Sequence, residues 1–565
     1  MKLEKKYLLG IIGLIVILLT GVSYAYFKAR INGDPKSIVI KSKGVYLEYK
    51  GDTTLSSGEI GPGWSVTKTF TVENQGSNTE KYDIYIEDLV NTFVTTGNLQ
   101  YKITSSTGYN MTEFKDIPKS ETATDTVLAY SVSIDAGVTQ SYTITLKYND
   151  TDDEQSGDMG KKFSGTLGIQ LPTKKVRTEP TSILTAILDD NPTISERTDF
   201  GQLFTDMNTG TLFKTNKTED GSEVYYYSGD TTNNWVKFGK YQDDRIGYRG
   251  YKNAKKMDFH EYKTMSECSS ATSYNIDCTE YKYASAGDDI YWRIIRTNED
   301  GSVRLLYSGT SSDTTLGYIG TSEFNSSHRD PLYVGYMYGT SGSLVNNRTN
   351  TNSSIIKKYI DSWYENNILT NYDKYISKTA IYCNDRSIGS GNYSTSSTFY
   401  YGAGTRLDTN KAPSYKCGAN TSNGLFESAQ AIEDKFSAST EGGGNGQLQY
   451  PIALMTADEV SFAGGKVNQA YLKGFYYWYV NSDKNPITDV DWILLSPYDW
   501  DGYFSYVFSI VMDLSVEVFG TLNPTALTSV QTAIRPVISL SSCVKVSGIG
   551  TPEDPYVVDY DNSCK

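Results

Sequence analysis

Val66-Thr-Lys-Thr-Phe-Thr-Val-Glu-Asn-Gln-Gly76 alternates apolar and polar side chains and ends in an Asn-Gln-Gly turn. Such alternation marks a strand with one buried face. The pattern extends to both sides of this stretch: Ser37–Lys50, Ser65–Asn74, Lys81–Glu87, Thr126–Ile134 and Gln140–Lys147 read as strands separated by Gly, Asn, Asp and Ser turns. Together they predict an all-β sandwich over residues 30–172. The acidic loop Asp150 to Asp158 offers oxygens to a calcium ion but lacks the fixed Gly and Glu of an EF-hand loop, and is read as a solvated turn. A polar stretch bounded by prolines, residues 173–182, follows as a semi-extended linker.

Beyond the linker the pattern becomes mixed α/β. Ser182–Leu188 reads as helical, Glu223–Tyr227 and Trp235–Phe238 as strands, and Ile290–Arg296 with Ser302–Tyr307 as a hairpin around an Asn-Glu-Asp-Gly turn. Ile356, Tyr359, Ile360 and Trp363 fall at helical spacing within residues 354–369, and Thr456 with Glu459 makes a capping-box helix start. The second domain therefore spans residues 183–565. A Lys/Tyr/Ser-rich insertion at 241–287 has no function legible in its residues.

The 565 residues are too many for one core. A net charge of −14, from 66 acidic and 52 basic residues, argues against nucleic acid as a partner. The 47 tyrosines, set among many Gly, Ser, Thr and Asn, match the mixture that paratopes use for rigid contacts, and equally fit half-exposed β-strands. All six cysteines, Cys268, Cys278, Cys383, Cys417, Cys543 and Cys564, lie in the second domain without a CxxC pair. With only His260 and His328 to add, a metal site is not expected, and no cofactor motif is present. Sequence order suggests the disulfides Cys268–Cys278, Cys383–Cys417 and Cys543–Cys564, among about fifteen possible connectivities.

Lys2, Lys5 and Lys6 precede an uncharged apolar run from Tyr7 to Phe27. This predicts export, with residues 1–29 acting either as a membrane anchor that leaves the C-terminus outside or as a signal peptide cleaved near Ala25.

Two resemblances sharpen these expectations. The Val66–Gly76 stretch and the apolar lead ending in Ser-Tyr-Ala-Tyr-Phe resemble exported bacterial Ig-like domains of the biofilm-fibre and camelysin sort. Tyr291-Trp-Arg-Ile-Ile-Arg296, Leu454-Met-Thr-Ala-Asp-Glu-Val460 with Phe462-Ala-Gly-Gly465, Leu495-Ser-Pro497 and Arg535-Pro-Val-Ile-Ser-Leu540 resemble, over roughly residues 183–558, the C-type-lectin-like domains of gut Firmicutes surface proteins. Those domains are related in fold to formylglycine-generating enzymes. The resemblance implies a compact mixed domain whose irregular loops form a ligand face. The Glu-Pro-Asn and Trp-Asn-Asp sugar motifs of animal lectins are not found, and the cysteines read as structural bridges, so neither calcium-dependent sugar binding nor oxidase activity carries over.

The window Tyr498 to Ile534 contains no Lys or Arg. It holds Tyr498, Trp500, Tyr503, Phe504, Tyr506 and Phe508 beside Asp499 and Asp501, and it resembles the variable segment of proteins diversified by retroelements. Tyr498, Asp499, Trp500, Asp501, Tyr503, Phe504 and Tyr506 are therefore the expected ligand-binding residues, with the rings as anchors and the aspartates as orienting acceptors. The same window also reads as core strands at Tyr506–Val511 and Ser515–Phe519. The expected function is a cell-surface binding protein, not an enzyme, whose partner is an extracellular protein or glycan. The alternatives are a glycan-active enzyme using Asp499 and Asp501, and a structural component of an envelope or fibre.

Overall fold

The computed structural model describes residues 37–564 except 43–44, 52–54, 56–59, 96, 112, 152–154, 173–176, 178, 192–193, 204–211, 254–258, 419–433, 440, 442–445, 470–475, 484, 489 and 514–517. The apolar leader with Ala25, and much of the 173–182 linker, lie outside the described residues. Contacts divide the chain into two units, up to Lys175 and from Val176 onward. Strand accounts for 41% and helix for 13%, so the protein is mostly β. Among the described residues no helix is long and apolar enough to cross a membrane.

In the first unit the Val66–Gly76 stretch supplies strand β3 of nine: β1 (Ser37–Ser42), β2 (Val45–Gly51), β3 (Ser65–Asn74), β4 (Glu80–Asn91), β5 (Leu99–Ser105), β6 (Lys115–Asp116), β7 (Ser120–Ile134), β8 (Thr139–Tyr148) and β9 (Phe163–Gln170). The expected single strand at 37–50 is two, because Ser42 pairs back onto Val45. One sheet runs β1-β2-β3-β8-β5-β6, the other β7-β4-β9, and every pairing is antiparallel. Period-two alternation turns Phe70 and Val72 of β3, Ile144 and Leu146 of β8, and Ile84 and Ile86 of β4 into one shared core. Tyr49, Phe70 and Tyr142 stack through it at 5.1 and 4.8 Å.

The acidic loop departs from its expected solvated state at its last residue. Asp158 is buried and accepts hydrogen bonds from the amides of Val94 (2.7 Å) and Thr95 (3.1 Å), from the Tyr148 hydroxyl (2.9 Å) and from Asn98 (3.3 Å). Burial pushes its pKa up, but these donors together outweigh burial and hold it at about 2. The carboxylate thus closes the loop on itself.

In the second unit the predicted hairpin forms from Asp289–Thr297 and Val303–Tyr307. Its first strand pairs with Trp235–Lys240, and its second with Pro536–Leu540, which also takes Ala453–Leu454. Three of the four separated sequence motifs therefore meet in one sheet. The fourth, Leu495-Ser-Pro497, lies in Trp492–Trp500 of a second sheet, beside Ser505–Asp513 and Phe399–Tyr401. The expected strand at Ser515–Phe519 begins at Val518, its earlier residues lying largely outside the described residues. Helix Ile355–Tyr364 buries Ile356, Ile360 and Trp363 and passes at residue 365 into a wider π-type turn.

The capping box at helix Ala457–Phe462 is present, and its glutamate does more than cap. Glu459 Oε2 accepts the Thr456 amide at 3.0 Å, while Oε1 accepts Arg296 Nε at 3.1 Å and Arg304 Nη1 at 3.0 Å. All three charged side chains are buried. Burial pushes the Glu459 pKa up, but the two guanidiniums prevail and hold it below the usual value. Beside it Arg406 grips Asp458 through two bonds of 2.9 and 2.7 Å and Asp385 through one of 2.8 Å.

The cysteines pair as Cys268–Cys278, Cys383–Cys417 and Cys543–Cys564. Three disulfides fit an oxidising, extracellular compartment. The first pair closes the insertion, which folds as a three-stranded sheet of Arg245–Tyr251, Phe259–Tyr262 and Ile276–Ala284.

Replacing Glu459 strands two buried cations. Glu459→Leu is expected to destabilise the second unit by about 3–5 kcal/mol. Guanidinium unfolding followed by tryptophan fluorescence measures this, since of the tryptophans only Trp64 lies in the first unit. A loss below about 1 kcal/mol would show that the cluster is dispensable.

Candidate functional site

Strand Trp492–Trp500 is buried along its whole length, then leaves the core through the turn 501–504 and returns as Ser505–Asp513. Between Pro497 and Asp499 the register shifts, so that Tyr498 and Asp499 together stand against one residue of the partner strand. A bulge of this kind turns both side chains toward one side. Tyr400 meets both: it pairs with Asp499 across the sheet, and its ring lies 5.6 Å from that of Tyr498.

This geometry corrects the expectation of an exposed aromatic cluster. Trp500 is 2% exposed, packed where Phe399 pairs with it, and Tyr498 is buried with its ring 5.2 Å from Phe508. The Tyr498 hydroxyl donates to Asp408 Oδ2 at 3.1 Å. Both rings are recruited inward because the bulge sets them against core strands. What remains outside is the turn: Tyr503 is 74% exposed, while Phe504 and Tyr506 are half-buried.

The two aspartates also divide. Asp501 builds the turn, its Oδ1 accepting the amides of Tyr503 and Phe504 at 2.7 Å each and its Oδ2 the Tyr506 hydroxyl at 3.2 Å. Gly502 at φ +98° allows the reversal that an L side chain would resist. Asp501 is therefore a positioning residue whose acceptors are spent. Asp499 is 8% exposed, and its Oδ1 has no hydrogen-bond partner among the described residues. Burial, and then the charge of Asp501, raise its pKa from 3.8 to about 7.

Sequence reasoning missed four neighbours of this turn: Tyr400, Asp408, His328 and Arg329. The His328 ring packs 4.9 Å from Phe504, Arg329 lies 5.2 Å over the same ring, and the His328 carbonyl accepts the Ser505 amide at 2.8 Å. His328 thus supports the hairpin from its loop. The tyrosine-rich run Phe399-Tyr400-Tyr401 was a legible strand signal; nothing in the sequence placed Asp408 beside Tyr498.

Chemically the arrangement holds an unfilled carboxyl oxygen near the Asp501 carboxylate, closed to solvent as the turn stands. It suits a group that donates hydrogen bonds or carries positive charge. Among the described residues no group of three or more His, Cys, Asp or Glu is placed to hold a metal ion. No protein-family model and no curated protein matches the chain.

The raised pKa of Asp499 has a definite sign in stability. Below about pH 4 the folded and unfolded chains both carry the proton. Between 3.8 and about 7 the unfolded chain ionises while the folded chain resists, so stability falls as pH rises and the cost is complete above about 7. Asp499→Asn is accordingly expected to raise the melting temperature at pH 8 and to leave it unchanged at about pH 2, well below 3.8. Equal melting of both proteins at pH 8 would show that the carboxylate bears no burial cost.

Proposed function

We propose that this is an exported cell-surface binding protein in which an Ig-like sandwich carries a C-type-lectin-like unit, and that its ligand docks on the turn 501–504 over Asp499. The observation that carries this reading is the unpartnered Asp499 oxygen. An acceptor that is desolvated and unfilled costs stability in the free protein, and a ligand donor that shifts the turn 501–504 to reach it removes that cost on binding. The exposed Tyr503 ring supplies contact area with little rotamer freedom to lose.

The ligand is an extracellular protein or glycan that presents a donor, best a lysine or arginine side chain, to Asp499. The three disulfides and the apolar lead support export, with the lead as membrane anchor. Use of Asp499 and Asp501 as a glycosidase pair finds less support, because Asp501 spends both oxygens on its own turn. Retroelement diversification belongs to this proposal only at the turn positions Tyr503, Phe504 and Tyr506, since Asp501 holds the turn itself. Varying Tyr498, Trp500 or Phe508 would unpack the core.

Arrays of extracellular proteins and glycans, probed with the wild-type chain and with Tyr503→Ala, test the docking site. Tyr503→Ala is expected to weaken ligand retention by about tenfold or more, the scale of an exposed aromatic anchor, with no change in melting temperature. Retention equal to wild type on every ligand would sink the assignment. Alleles from a population give a second check: substitutions should gather at codons 503, 504 and 506, and scatter into 498, 500, 501 and 508 would remove the diversification idea.

A further inference from the structure

No described residue of the 241–287 insertion contributes to the turn around Asp499, yet the insertion is locked to the body of its unit. Glu261 accepts hydrogen bonds from Arg245 Nη2 (2.8 Å), the Tyr283 hydroxyl (2.8 Å) and Thr321 Oγ1 (3.0 Å), and Arg245 also bonds the hydroxyl of Tyr359 on helix Ile355–Tyr364. The Glu261 amide donates to Gln531 Oε1 at 2.6 Å. This clamp forms one wall of a cleft of about 540 Å³ between the insertion, the helix and the Thr321–Ser322 strand. Clefts of about 300–1,000 Å³ are the usual size for small-ligand sites.

The polar groups of the cleft fall into two sets. Those of the clamp are satisfied within the protein. The half-buried Tyr262 hydroxyl and Glu323 carboxylate, and the exposed Ser362 hydroxyl and Asn366 amide, have no protein hydrogen-bond partner among the described residues and line the same space, where solvent meets the last two. Glu323 is half-buried, and burial pushes its pKa up, as expected of a carboxyl that has lost water without gaining a donor. The Tyr262 ring stands at the wall with His260 against it at 4.7 Å.

We propose that this cleft is a second binding site, for a neutral glycan of about one to three sugar units. A sugar hydroxyl both donates and accepts, which is the demand made by a carboxylate, an amide and two hydroxyls left open around one space. The C–H face of a pyranose packs on an aromatic ring such as Tyr262. Among the described residues the unpaired charges lining the cleft are the carboxylates Asp243 and Glu323 against the ammonium of Lys263, a balance that disfavours anionic sugars.

The test applies the full chain to an array printed with neutral, sialylated or uronate-bearing, and amine-bearing glycans, beside Tyr262→Ala, Glu323→Gln and Tyr503→Ala chains. Neutral glycans should be retained, with the signal falling about tenfold or more in the first two variants and holding in the third. Glu323→Gln changes no volume, so it keeps the test decisive where Tyr262→Ala melts early. Three outcomes overturn the proposal: no neutral glycan retained, retention confined to anionic or amine-bearing glycans, or neutral retention that survives both cleft substitutions.

Discussion

A single carboxylate, that of Glu459, holds the second unit in register. It sits dry between two guanidiniums while its other oxygen caps a helix, so two elements distant in sequence, a hairpin and a helix, must meet at one point. A buried ion of this kind is tolerated only when its geometry is complete. Completing it aligns the hairpin bearing Arg296 and Arg304 with helix Ala457–Phe462. That helix in turn fixes the next strand, because the Ala457 amide donates to Ser496 Oγ and the Leu495 amide to the Met455 carbonyl, each at 2.9 Å. Arg406 extends the network through Asp458 to the 402–409 segment, from which Asp408 reaches Tyr498.

The candidate site is the free end of this chain of constraints. The strand that begins in the core cannot bring its last residues into water gradually, since its partner strands on both sides are packed as well. A bulge at Tyr498 and Asp499 and a turn built by Asp501 solve the exit in a few residues. The cost is borne by Asp499, which is left desolvated with an unfilled oxygen. Unmet polar demand of this sort is a pointer to function.

Much of this was legible in the sequence. Alternation located β3 and its neighbours, the Asn-Glu-Asp-Gly turn located the central hairpin, and Thr456 with Glu459 announced a helix start. The tertiary partners of Glu459 were not legible, because a capping box specifies one oxygen and says nothing of the other. The window after Pro497 was misjudged for a physical reason. Its bulge breaks the period of two, so the core residues Tyr498 and Trp500 looked like part of an irregular exposed cluster, whereas Phe508 fell in the strand expected at 506–511. The dipeptide Asp501-Gly502 carried the hairpin signal that would have separated the turn from the strands around it. Spacing of cysteines, in contrast, needed no tertiary knowledge, since each bridge closes between sequence neighbours.

The account stands on one carboxyl group being dry and unpartnered. Carbon-13 NMR titration of selectively labelled aspartate, with the Asp499→Asn chain used to assign the resonance, measures this directly. A midpoint near 7 is the predicted result. A midpoint near the free value of 3.8 would mean that Asp499 is hydrated or already paired, and would remove the basis for placing the ligand there.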